Sequence, residues 1–98
     1  MDVQTISDFT LRTSGRRVIV GLNAEGVAKV QAARALELPD VGSRLKAGED
    51  FVTIHSHKGP ISLPSPLTGQ VVDVNWELAR EPDLVANENW VAIILPEG

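Results

Sequence analysis

Residues 51–75 read FVTIHSHKGPISLPSPLTGQVVDVN, and this stretch decides the fold. Val52 and Ile54 on one side, and Val72 and Val74 on the other, alternate with polar residues. A period of two places one set of side chains inward and the other in water, so both runs read as half-buried strands of a sandwich or barrel. Between them stands the polar tetrad His57-Lys58-Gly59-Pro60. Gly59 permits positive φ, so the chain reverses tightly here and holds the Lys58 amine clear of the backbone. Such a lysine is either a solvated turn residue or the working group of the protein. Farther on, Ser65-Pro66 opens a type I turn, and Gly69 is expected to supply the left-handed residue of a three-residue hairpin. Pro64 donates nothing to a ladder, so its strand belongs at a sheet edge or at a bulge.

Upstream the punctuation continues. Phe9–Thr13 and Val18–Val20 read as strands joined at Ser14-Gly15-Arg16. Asn23 is placed to cap a short helix from Ala24 to about Lys29, with Gly26 a weak point inside it. Val30–Leu38 is rich in alanine, but Arg34, Leu36 and Leu38 alternate with Ala35 and Glu37, so its second half reads as strand. An internal echo sets SRLKAGEDFVTI (43–54) over PDLVANENWVAI (82–93) without a gap, matching Leu45 to Leu84, Phe51 to Trp90 and Ile54 to Ile93. The echo predicts two similar strand-turn-strand units related by a pseudo-twofold, with Phe51 and Trp90 both in the core.

Composition narrows the function. Ninety-eight residues suit a single domain over 1–98 with one modest core. There is no cysteine, which excludes disulfides, thiol nucleophiles and thiolate metal sites. Net charge is −4 without a Lys/Arg stripe, which argues against nucleic acid and anionic membranes as partners. No apolar run reaches membrane-spanning length and the N-terminus has no signal-peptide pattern, so a cytoplasmic location is expected. His55 and His57, two apart in a strand, would present both rings on one face. A third ligand is lacking, and a structural or exposed pair is favoured over a metal site. The carboxylates are dispersed, and no nucleophile elbow, phosphate loop or triad spacing is present, so the chain is not expected to be an enzyme in its own right. Trp76 and Trp90 are the large aromatics; Trp90 is expected in the core, and for Trp76, where the strand should end, packing is favoured over a partner contact.

Four segments together resemble the glycine cleavage H-protein family, lipoyl carriers within the lipoyl/biotinyl superfamily. They are VIVGLN (18–23), LELPDVGSRLKAGEDF (36–51), SPLTGQVVDVNWEL (65–78) and EPDLVANENW (81–90). The resemblance implies a mostly β barrel-sandwich hybrid with one short helix, and it places Lys58 on the lysine that receives lipoate, as N6-lipoyllysine. It implies a carrier without its own active site, shuttling an aminomethyl group. The implied partners are glycine decarboxylase (P protein), aminomethyltransferase (T protein), dihydrolipoyl dehydrogenase (L protein) and a lipoate ligase or transferase. The chain departs from the family pattern near the lysine. His55 stands where the family carries Glu, so a negative charge is expected to be missing there, and Gly59-Pro60 replaces Ala-Ala or Ala-Ser. Because the sequence stops at Gly98, a short form without the family's C-terminal helical extension is expected. A biotinyl carrier is disfavoured, since no methionine flanks Lys58. A lipoyl carrier of another pathway, such as sulfur metabolism, and an unlipoylated binding or regulatory module are the remaining alternatives.

Overall fold

A computed structural model describes residues 3–6, 8–86 and 90–97. Among the described residues nine strands form two antiparallel sheets. The larger takes β1 (Val3–Ile6), β2 (Phe9–Ser14), β3 (Arg17–Leu22), β9 (Trp90–Pro96), β8 (Gly69–Val74) and β5 (Arg44–Leu45), in that spatial order. The smaller takes β4 (Ala35–Glu37), β6 (Asp50–Ser56) and β7 (Gly59–Pro64). The chain is therefore mostly β, folded as a barrel-sandwich. The inward residues Phe9, Val20, Leu22, Ile54, Val71 and Ile94 belong to one buried cluster that takes side chains from both sheets. Phe9 and Phe51 meet within it, ring centroids 5.4 Å apart and tilted by 59°.

Helix α1 (Ala24–Gln31) begins where the capping residue predicts: the Asn23 side chain accepts a hydrogen bond from the Gly26 N–H at 3.0 Å. Its last turn places Lys29 against the buried Asp8, Nζ to Oδ2 at 3.0 Å. Gly26 has a purpose that helix propensity hides. A Cβ there would run into the Asp8 carbonyl oxygen and would lie 2.8 Å from Leu22 Cδ2. Gly→Ala inside a helix ordinarily stabilises by about 0.5–1 kcal/mol. Here overpacking reverses the sign, and Gly26→Ala should destabilise by about 1–3 kcal/mol in urea titrations. A gain in stability would show that α1 is free to move off β3.

Several sequence expectations are corrected. β7 and β8 lie in different sheets, so Ser65–Thr68 is a crossover and not a hairpin loop. Gly69 is not left-handed; it sits buried in β8, where a Cβ would strike the Leu95 carbonyl oxygen and approach Ile94 Cγ2 to 2.7 Å. The glycine is there for close approach of β9. In β8 a register shift between Val71 and Asp73 breaks the alternation, so Val71 and Val74 face inward and Val72 is half-buried. Beyond the expected helix, a five-residue α2 (Trp76–Arg80) follows β8, capped by Asn75, and a 3-10 turn covers Pro82–Ala86.

The echo fails in its first half, since Arg44–Leu45 is strand whereas Pro82–Ala86 is 3-10 helix. Its second half survives with a shifted register. β6 and β9 each carry a bulge with two consecutive buried residues, Phe51-Val52 and Val91-Ala92. The burial patterns therefore align Phe51 with Val91 and Ile54 with Ile94. Trp90 takes the place of Asp50 at the strand entrance and is half-buried, outside the core. One residue of slip moves a side chain to the other face, which is why matching the aromatics misleads.

Candidate functional site

The hairpin β6–β7 is built as the tetrad predicts. Register runs Ile54↔Ile61, His55↔Pro60 and Ser56↔Gly59, leaving His57 and Lys58 as a two-residue tip. Gly59 takes φ 109°, a left-handed backbone that a side chain would strain. Ser56 closes the tip from within: its hydroxyl accepts the Lys58 N–H at 3.3 Å and donates to the Gly59 carbonyl at 3.2 Å. The Lys58 side chain stands exposed at the end of a braced turn.

Pro60 and Pro64 sit on an edge strand, and the ladder is bulged where Asp50 pairs with Pro64 and Val52 with Leu63. Both conditions expected of Pro64 are met. In an antiparallel pair flanking a two-residue turn, the residue next to the first bonded pair turns its N–H away from the partner. Pro60 thus removes a donor from the open edge of β7, which blunts strand addition beside the lysine.

Two of the chain's three lysines differ from Lys58 in setting. Lys29 is held by Asp8, and Lys46 lies in the four-residue link between β5 and β6, where its N–H is bonded to Glu49 Oε1 at 2.7 Å. Only Lys58 is presented at a hairpin tip.

The two histidines part company. His55 is in β6, while His57 has left the strand for the turn, so they do not share a strand face. Among the described residues no group of three or more His, Asp or Glu gathers as a metal site. His55 instead reaches across to β4, where its Nε2 lies 3.1 Å from Glu37 Oε1. The charge expected to be missing beside the hairpin is therefore present, delivered by the adjacent strand. Sequence reading missed Glu37 because the contact is diagonal between strands and depends on the β4–β6 register, Glu37↔Thr53. The His55 carbonyl also accepts the Arg34 N–H at 2.7 Å, tying the hairpin base to the segment before β4.

Trp76 is not packed away as expected. It is the first residue of α2 and is 52% exposed. Beneath it, buried Asn75 donates from its side chain to the Trp90 carbonyl at 3.0 Å and accepts the Leu78 N–H. Asp73, Val74, Asn75, Trp76, Glu77 and Trp90 line an open cleft of about 370 Å³. Among the described residues no helix is long and apolar enough to cross a membrane.

Comparison with known proteins finds relatives in sequence and in fold. The family model described as Glycine cleavage H-protein matches residues 5–95. The chain is 36% identical over 75 residues to the glycine cleavage system H protein of Bacillus cytotoxicus, a match covering 76% of this chain and 59% of that one. It is 31% identical over 86 residues to the H protein of Herpetosiphon aurantiacus, covering 84% and 67%. The chain thus spans about three-fifths to two-thirds of the length of these relatives. In fold it resembles the crystal structure of the H protein from Mycobacterium marinum, with a TM-score of 0.80 at 24% identity over 98% of this chain and 84% of that one.

Proposed function

The chain belongs to the glycine cleavage H-protein family, and on that premise we propose that it is a lipoyl carrier loaded on Lys58. The observation that supports this most is the braced tip: one exposed lysine on a two-residue turn, stiffened by Ser56 and Gly59. A modifying enzyme needs the amine in reach and the backbone behind it immobile. In the loading step the Lys58 Nζ, deprotonated, attacks the carbonyl of an activated lipoyl group. The new amide bond replaces the bond to the activating group, and the proton lost from nitrogen goes to solvent or to the enzyme.

Lipoate, once attached, supplies a dithiolane that is reduced and reoxidised and that accepts an aminomethyl group. The protein's part is presentation. Tethering converts each meeting of arm and active site into a near-intramolecular event, so the carrier requires no catalytic residue of its own. On this reading the partners are glycine decarboxylase, aminomethyltransferase, dihydrolipoyl dehydrogenase and a lipoate ligase or transferase, and the setting is cytoplasmic. Loading the purified chain with a lipoate ligase, then offering it to glycine decarboxylase with glycine, tests the proposal. Turnover that depends on loaded Lys58 supports it, and none with the loaded protein rejects the glycine pathway in favour of another lipoyl-dependent one.

The Glu37–His55 contact adds a prediction. A ligase reading acidic character beside the lysine would find it on Glu37. Glu37→Gln should slow lipoylation about two- to fivefold, the scale of an exposed charge contact. His55→Glu should bring little gain, because the new carboxylate faces Glu37. Time courses of intact mass with one ligase check both. A large acceleration in His55→Glu would mean that Glu37 is not read.

A further inference from the structure

The cleft beside α2 is lined by none of the residues assigned above to the carrier role. Two tryptophans and two acidic residues, Trp76, Trp90, Asp73 and Glu77, are among the residues that line it. We propose that this cleft is a docking site for a basic side chain, arginine or lysine, on the surface of a partner protein.

The carboxylates are available. The ion pairs of lysine and arginine among the described residues are Lys29–Asp8 and Arg44–Glu97, and His55 contacts Glu37, so no basic side chain pairs with Asp73 or Glu77. Arg80, one turn farther along α2, pairs with neither. Asp73 is oriented by its own strand, with Oδ1 accepting the Val74 N–H at 2.9 Å. The backbone that carries the two indoles is held as well. Asn75 is buried and bonds both the Trp90 carbonyl and the first turn of α2, so the two aromatic positions are fixed to one polar hub.

A cation over an indole face is attracted by the ring quadrupole, and nearby carboxylates add a charge term of the same sign. A large aromatic half exposed to water is itself a common mark of an interface, where tryptophan and arginine dominate binding. The cleft is shallow, so a free cation would stay hydrated on its open side. A side chain borne on a protein brings neighbouring surface that closes that side. The net charge of −4 favours approach of a basic surface over long range.

The test uses the unmodified full chain, so its outcome is separate from whether Lys58 is ever lipoylated. The probe is the peptide acetyl-Arg-Gly-Arg-amide, with its neutral citrulline counterpart as control, in a nuclear magnetic resonance titration. The chain has two tryptophans, hence two indole N–H signals, assigned with Trp76→Phe. Both indole signals and the 75–77 amides should move saturably with the arginine peptide and stay put with citrulline. Asp73→Asn with Glu77→Gln, and separately Trp76→Leu, should each weaken binding about two- to fivefold, as for solvent-exposed cation–π and ion-pair contacts. Equal shifts with citrulline, or affinity unchanged in both variants, would overturn the proposal. Tighter binding of tetramethylammonium than of the peptide would point instead to a small free cation. Concentration-dependent shifts without probe would point to a second copy of this chain.

Discussion

Lys58→Arg should abolish lipoyl incorporation while leaving the fold and its stability intact. Arginine keeps the positive charge and the length of the side chain, but its guanidinium does not lose its proton under these conditions and forms no amide. The loss is therefore complete and not graded, the largest functional effect expected of any substitution in the chain. Lys58 is exposed, so Lys58→Arg and Lys58→Ala should change unfolding free energy by no more than about 0.5 kcal/mol. Incubation with a lipoate ligase followed by mass analysis checks the first statement, and urea titration the second. Incorporation into Lys58→Arg would move the site to Lys29 or Lys46.

The largest effect on stability belongs at the other end of the same hairpin. Phe51 is 3% exposed and packs against Phe9, which is 1% exposed. It is the extra residue of the β6 bulge, pressed into the cluster shared by the two sheets. Phe51→Ala removes a large ring from a site that cannot collapse without shifting the bulge, and it should cost about 3–5 kcal/mol. Trp90→Ala should cost less, since the half-buried indole never left water completely. Urea titrations of the two variants order them. A larger loss in Trp90→Ala would restore the equivalence of the two aromatics that the internal echo suggests.

Much of this was legible in the sequence, for local reasons. The hairpin tip was written in Gly59, the edge position of β7 in Pro64, and the start of α1 in Asn23. Each depends on one residue's backbone preferences or one side-chain hydrogen bond. What stayed hidden depends on partners distant in sequence. Gly69 looks like a turn glycine until β9 is laid against it, and Gly26 like a weak helix residue until Asp8 arrives. Bulges at Phe51, Val72 and Val91 change strand parity without leaving a mark in composition. Glu37 joined the site by strand register, and Trp76 was assigned to packing over a partner contact because nothing local shows which way a side chain at a strand end faces.

The most direct measurement is the intact mass of the protein purified from its native host, with peptide fragmentation to locate any adduct. Three lysines make the assignment unambiguous. A mass increased by one lipoyl group, carried wholly on Lys58, is the result this account predicts. An unmodified chain from cells that lipoylate their other carriers would contradict it, as would an adduct on Lys29 or Lys46, and would leave a protein that binds partners without carrying cargo.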